Sequence, residues 1–217
     1  MINLTFSPKA DSLKILCLGA HCDDIEIGCG GTVLKLLTAH RRADVHWVVF
    51  SSNEMRKREA EQSARAFLRR APVKSVIIQA YRDGYFPFEG GEIKDYFEKL
   101  KREADPDLIF THHRSDMHQD HRLVSELTWN TFRDQMILEY EIPKYDGDLG
   151  APNVFVHLDE PLCRTKISYI LKYFRSQADH AWFAEETFRA IMRLRGLESN
   201  SSSRYAEAFH SRKLLIR

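Results

Sequence analysis

Two short polar clusters carry the residue types from which a hydrolytic metal centre is built. The first is Ala20-His21-Cys22-Asp23-Asp24, directly after the apolar run Leu13-Lys14-Ile15-Leu16-Cys17-Leu18-Gly19. The second is His118-Gln119-Asp120-His121, beyond the apolar run Leu108-Ile109-Phe110. His21 and Asp24 stand i, i+3, a spacing that brings two side chains to one face if the chain turns into a helix. A neutral imidazole and a carboxylate are ordinary zinc ligands, and a catalytic zinc keeps three protein ligands plus a water. His121 is the natural third ligand. Water on such a site drops from a pKa of about 9 on the aqueous ion to about 7. Asp23, adjacent to a ligand but free itself, is the expected general base. His118, again i, i+3 from His121, is free to act on substrate, where an imidazolium would steady an oxyanion and protonate a leaving amine. Asp120 between them is placed to hold an imidazole in one tautomer. The plainer role for Asp23 and Asp24 is helix capping; it leaves His21 and the second cluster unaccounted for. His112 and His113 are expected to be peripheral, and Cys22 and Cys29 to be small buried residues rather than ligands.

Strand-like and helix-like segments alternate along most of the chain. Strands are predicted over 13–19, 45–50, 73–78, 107–111, 138–142 and 153–158 from their apolar, β-branched runs. Helices are predicted over 32–41, 54–70, 92–103, 118–133, 162–175 and 181–194. Gly28-Cys29-Gly30-Gly31 lacks the G-x-G-x-x-G spacing of a dinucleotide loop, and close packing of a helix on a strand explains these glycines better. Residues 198–203 read as a loop, and Tyr205-Ala206-Glu207-Ala208-Phe209 leads into the end. The order predicts an α/β, three-layer Rossmann-like fold, with a mostly parallel sheet and helices on both faces. No repeat or linker interrupts it, so residues 1–217 are expected to form a single domain.

Two parallel clusters at the carboxyl ends of strands would meet at the edge where such sheets gather ligands. The charge balance, 32 basic against 31 acidic residues and a net +1, gives no electrostatic case for nucleic acid or an anionic membrane. No apolar run approaches the roughly 20 residues of a membrane span. Met1-Ile2-Asn3-Leu4 does not open a secretory signal, and four scattered cysteines make no disulfide framework. A reducing, cytoplasmic setting is expected.

These residues resemble the PIG-L/LmbE-like N-deacetylases, zinc enzymes that remove acetyl groups from N-acetylglucosamine units. That family's first motif, A-H-P-D-D-x-E with G-G-T a little further on, is matched by Ala20-His21-Cys22-Asp23-Asp24-Ile25-Glu26 and Gly30-Gly31-Thr32. Its H-x-D-H is matched by His118-Gln119-Asp120-His121. Arg58 with Glu61 is similar to an R-x-x-E whose arginine contacts substrate. Asp83-Gly84, Ser176-Gln177 and Tyr205-Ala206-Glu207-Ala208-Phe209 resemble its D-G, S-Q and Y-A-E-A-F. The resemblance implies Zn2+ held by His21, Asp24 and His121, with Asp23 as base and His118 as oxyanion stabiliser or acid. It further implies Arg58 at the substrate, a small-molecule amino sugar as that substrate, and often a homo-oligomer. Cys22 departs from the motif's proline and removes a fixed φ from the loop without removing a ligand. Another zinc amidase, cleaving a thiol conjugate or deformylating an amino sugar, would use the same residues; a non-catalytic sugar- or nucleotide-binding module would need none of them.

Overall fold

In the computed structural model, residues 12–40 and 42–215 are described. Met1-Ile2-Asn3-Leu4 and Arg41, the predicted end of a helix, lie outside them. The chain runs β1 (Leu13–Gly19), α1 (Asp24–Ala39), β2 (Ala43–Val49), α2 (Glu54–Phe67), β3 (Val73–Ile78), α3 (Gly90–Glu103), β4 (Leu108–His112) and α4 (Gln119–Thr131). It continues with β5 (Met136–Tyr140), β6 (Val154–Leu158), α5 (Glu160–Tyr173), α6 (Glu185–Glu198) and β7 (Tyr205–His210). The seven strands form one sheet in the order β3-β2-β1-β4-β5-β7-β6. β3, β2, β1, β4 and β5 are parallel, and β7 runs antiparallel to both β5 and β6.

Alternation along the strands builds the three layers. Ile15 and Cys17 of β1 face one core, shared with residues of α1, α2, α5 and α6. Leu16 and Leu18 face the other, shared with α3 and α4. β1 is buried almost throughout, which is why it reads as a continuous apolar run rather than an alternating one. Chain order steps from β1 to β2 and β3 on one side and to β4 and β5 on the other. The strand order therefore reverses between the parallel neighbours β1 and β4, the switch point at which such sheets form a crevice outside the strand ends. Both polar clusters follow directly on those two strands.

Some boundaries differ from the sequence reading. Helix α1 begins at Asp24, eight residues before the expected start at Thr32, and carries 28–31 inside it. Glycine disfavours helix by about 1 kcal/mol against alanine, but here its missing side chain makes room. A Cβ on Gly28 would lie 2.2 Å from the Tyr140 ring, and one on Gly31 would lie 2.6 Å from Leu158. Buried groups from elsewhere also serve this stretch: Gly31 and Thr32 donate their N–H groups to the Glu207 carboxylate at 2.8 and 2.6 Å. Lys166 donates to the Ile27 carbonyl and to Glu207, both at 2.6 Å. The final apolar alternation is a full strand, β7, which places Glu207 there. α6 starts four residues later than expected, at Glu185.

Candidate metal centre

His21 follows β1, Asp23 is the N-cap of α1 and Asp24 its first residue. His118 is the N-cap of α4, with Asp120 and His121 in the first turn. Because β1 and β4 are neighbours, these two helix starts face each other. His21 Nδ1 lies 3.1 Å from His121 Nε2 and 3.4 Å from Asp24 Oδ2, and His121 Nε2 lies 3.6 Å from Asp24 Oδ1. Bonds of about 2.0–2.1 Å in a tetrahedral site put donor atoms roughly 3.3 Å apart. His21 meets Asp24 through Oδ2 and His121 meets it through Oδ1, so the three groups converge, while the sets whose single donor atoms gather together include His21 with His118 and His121, and Asp24 with His112 and His121.

Carboxylates stand near the nitrogens turned away from that cluster, although Nε2 of His21 makes no hydrogen bond to them. His21 Nε2 is 3.0 Å from Asp83 Oδ1 and 3.4 Å from Asp120 Oδ2. His121 Nδ1 is 2.9 Å from Asp116 Oδ2, which Lys144 also approaches at 3.1 Å. On His121, the Asp116 carboxylate at Nδ1 keeps the proton there and leaves Nε2 as a lone pair. Asp120 does a second job, accepting from the N–H groups of Gly84 (2.7 Å) and Phe86 (3.1 Å). Gly84 sits at φ +74°, a conformation that favours glycine. This turn brings the exposed Asp83 to His21.

Charge states follow from the surroundings. Burial, reinforced by His112, pushes the pKa of His121 down to about 4, so it is neutral at pH 7 as a ligand must be. Burial disfavours charge on His21 too, but the carboxylates of Asp120, Asp24 and Asp83 outweigh it and hold its pKa well above the usual value, so a metal at this imidazole would have to displace a proton. Burial disfavours the charged form of Asp24, yet His121 and His112 keep it ionised well below the usual carboxylate range.

Asp23 differs from its neighbour. Burial pushes its pKa up, with Arg56 opposing. Its Oδ1 pairs with Arg56 Nη2 at 3.0 Å, while its buried Oδ2 has no hydrogen-bond partner. Arg56 in turn lies 3.4 Å from Glu59, which accepts from the Ser176 hydroxyl (2.6 Å) and N–H (2.9 Å). The R-x-x-E that reaches the site is thus Arg56 with Glu59, and it is tied to the S-Q segment. Arg58, the expected substrate contact, lies exposed on α2 and is not brought to the cluster.

His118 is half-buried. Its Nδ1 accepts from the Asp120 N–H at 3.2 Å, so the neutral ring carries its proton on Nε2. Burial, then the charge of His21, pushes its pKa down. That geometry opposes the imidazolium expected from the sequence. His112, expected to be peripheral, is fully buried and stacks on His121 with centroids 3.9 Å apart. Its Nε2 lies 2.9 Å from the Ala20 nitrogen and 3.1 Å from Asp24 Oδ2, so with Asp24 and His121 it forms a second convergent donor set. His113 instead meets Glu139 at 2.9 Å, outside the centre. Cys22 points to the Ser51 carbonyl at 3.4 Å, and burial pushes its thiol pKa far up, away from thiolate. Asp116, His112 and Arg56 are participants that the motif reading missed, and Asp83 stood in the D-G match without a role at the centre; Asp116 also had a local sign, lying i−2 from His118 and i−5 from His121.

Residues 16–132, more than half of the chain, match the family model described as GlcNAc-PI de-N-acetylase, PIG-L. The chain belongs to the PIG-L family. Among solved structures it is similar to N,N'-diacetylchitobiose deacetylase from Pyrococcus horikoshii, with 26% identity and a TM-score of 0.70 over 91% of this chain and 83% of that one. It shares its fold with the 4-carboxy-2-hydroxymuconate hydratase GalB from Pseudomonas putida (17% identity, TM-score 0.73, 94% and 98% covered). The same holds for a teicoplanin deacetylase in a zinc-inhibited form (12%, 0.68, 91% and 97%). A deacetylase and a hydratase on one PIG-L-like scaffold show that the reaction must be argued from the site. Among the described residues no helix is long and apolar enough to cross a membrane.

Proposed function

We propose that this protein is a zinc-dependent deacetylase. It hydrolyses the N-acetyl group of an N-acetylglucosamine-type amino sugar or conjugate, releasing acetate and a free amine. One observation carries the reading: the converging donors of His21, Asp24 and His121 stand beside the unpartnered, buried Oδ2 of Asp23. Zinc held there would supply Lewis acidity toward the amide carbonyl and make a water acidic enough to attack near neutral pH.

The side chains perform the remaining chemistry. Asp23 Oδ2 takes the proton of the attacking water; burial raises its pKa and so strengthens it as a base. Arg56 grips Oδ1 and fixes which oxygen is offered. His118 Nε2–H donates to the developing oxyanion. With Nδ1 of His118 already accepting a backbone N–H, the ring has one proton to offer and uses it as a hydrogen bond. The departing amine therefore receives its proton from Asp23, which returns to the carboxylate. Asp120, Asp83 and Asp116 orient the imidazoles. The four free cysteines support a reducing, cytoplasmic setting.

The test is acetate and free-amine release from N-acetylglucosamine, N,N'-diacetylchitobiose and related conjugates, with zinc-loaded and chelated enzyme side by side. Equimolar acetate and amine, abolished by chelation and restored by zinc, is expected. Release that survives chelation, or none from any N-acetylated sugar, contradicts the reading.

A further inference from the structure

Behind His121, one carboxylate is shared by three donors. Oδ1 of Asp116 accepts from the His118 N–H at 2.8 Å, and Oδ2 meets both His121 Nδ1 (2.9 Å) and Lys144 Nζ (3.1 Å). The side chains of Asp116 and Lys144 are 3% and 13% exposed, so salt and water screen this pair little. Lys144 has no donor left for a substrate. An ammonium carries three N–H groups; Asp148 takes two, at 2.7 Å through Oδ1 and 2.5 Å through Oδ2, which leaves one for Asp116. Asp148 is itself fixed by the Met117 N–H at 2.6 Å, and Arg122 donates to the carbonyls of Asp116 and Met117 at 3.1 and 2.5 Å. The loop after β5 is thereby locked to the loop that leads into α4, and Lys144 cannot turn away without stranding two little-exposed carboxylates.

The oxygen that Lys144 approaches is the one that holds the His121 proton. A carboxylate behind a ligating imidazole makes that imidazole a stronger donor. A cation on the same oxygen takes part of this effect back, because hydrogen bonds that share an acceptor polarise one another. Asp120, beside His21, accepts instead from the backbone N–H groups of Gly84 and Phe86, so the two imidazoles are backed differently. We propose that Lys144 is a positioning residue that tempers His121: by drawing on Asp116 Oδ2, it weakens the pull of that carboxylate on the Nδ1 proton and keeps the Nε2 lone pair a moderate donor. A weaker donor lowers zinc affinity and leaves more Lewis acidity for the amide carbonyl.

The effect on affinity rests on His121 as a zinc ligand; only the effect on turnover rests on the deacetylase reading. Zinc affinity is measured by chelator competition in wild type, Lys144→Met and Lys144→Arg, with acetate release by the zinc-loaded proteins alongside. Lys144→Met is expected to bind zinc roughly three-fold more tightly or better, a fraction of the roughly 10–100-fold that such outer partners command. Its kcat is expected to fall at least three-fold while KM stays within two-fold, since Lys144 has no donor free for substrate. Lys144→Arg keeps the charge and is expected to restore most of both. A lysine that merely held the two loops together would give the opposite sign, with zinc bound more weakly once it is removed. Because Lys144→Met leaves Asp148 unpaired, Lys144→Met combined with Asp148→Asn is the second route; the amide oxygen still accepts the Met117 N–H, and tighter zinc binding is again expected. Affinity that is unchanged or weaker in both variants overturns the proposal, as does a Lys144→Arg protein that binds zinc as tightly as Lys144→Met. Tighter zinc in Lys144→Met, in a protein that releases no acetate from any N-acetylated sugar, removes the deacetylase reading and leaves the tempering of His121 standing.

Discussion

Replacing Lys166 with methionine isolates the device that holds the glycine-rich part of α1 against the sheet. The Lys166 and Glu207 side chains are 2% and 3% exposed and their charged atoms are 2.6 Å apart, so solvent screens the pair very little. Glu207 also accepts the Gly31 and Thr32 N–H groups, and Lys166 donates to the Ile27 carbonyl. Lys166→Met keeps most of the aliphatic stem but strands a buried carboxylate and a buried carbonyl. Breaking one side of a buried pair costs about 3–5 kcal/mol. For a chain of this size that corresponds to a fall in Tm of roughly 6–20 °C, at about 2–4 °C per kcal/mol. Lys166→Met with Glu207→Gln removes both charges and is expected to recover more than half of the loss, because the uncompensated carboxylate is gone. Urea denaturation of wild type, single and double variants measures both quantities. A single variant within 1 kcal/mol of wild type, or a double variant no better than the single, would refute the reasoning.

Three further outcomes follow from the same geometry. Arg56→Ala should lower kcat/KM by at least ten-fold through loss of the grip on Asp23, whereas Arg58→Ala, on the exposed face of α2, should stay within two-fold; steady-state kinetics that reverse this order would reassign the arginine. Asp116→Asn should weaken zinc binding by roughly 10–100-fold, measured by chelator competition, since the imidazole of His121 loses the carboxylate that fixes its tautomer; an unchanged affinity would contradict that role. Acid should destabilise the fold through Glu139 and Glu141. Burial opposes their charge, but His113, the Arg114 N–H and Trp129 for Glu139, and His210, the Gly150 N–H and Arg195 for Glu141, hold both below the usual range. Their stabilisation is complete above the unfolded value of about 4.3 and is lost as pH falls through the depressed folded values. Tm should therefore drop below about pH 4.3, and Glu139→Gln should flatten that drop; a Tm level down to pH 3 in wild type would count against it.

The sequence made the centre legible where chemistry is local and obscured it where tertiary context decides. His21, Asp24 and His121 could be paired because each follows an apolar run at the end of a strand, and a parallel sheet brings such ends together. Arg56 and Arg58 are each followed three residues on by a glutamate; only the direction of α2 selects the former. His112 reads as one of several neighbouring histidines, and its burial beneath His121 depends on β4 lying beside β1. The start of α1 was hidden because glycine propensity argues against helix at 28–31, and the contacts that override it come from Tyr140, Leu158, Lys166 and Glu207, more than a hundred residues away. The antiparallel β7 was equally unreadable, since its short apolar alternation gains its meaning from β5 and β6.

The most direct test of the central claim is the zinc content per chain of Asp23→Ala and His121→Ala beside wild type, paired with acetate release. The account predicts one zinc and almost no turnover for Asp23→Ala, and loss of both for His121→Ala. Equal loss of zinc in the two variants, or full zinc in His121→Ala, would contradict a centre in which three residues hold the metal and Asp23 moves the proton.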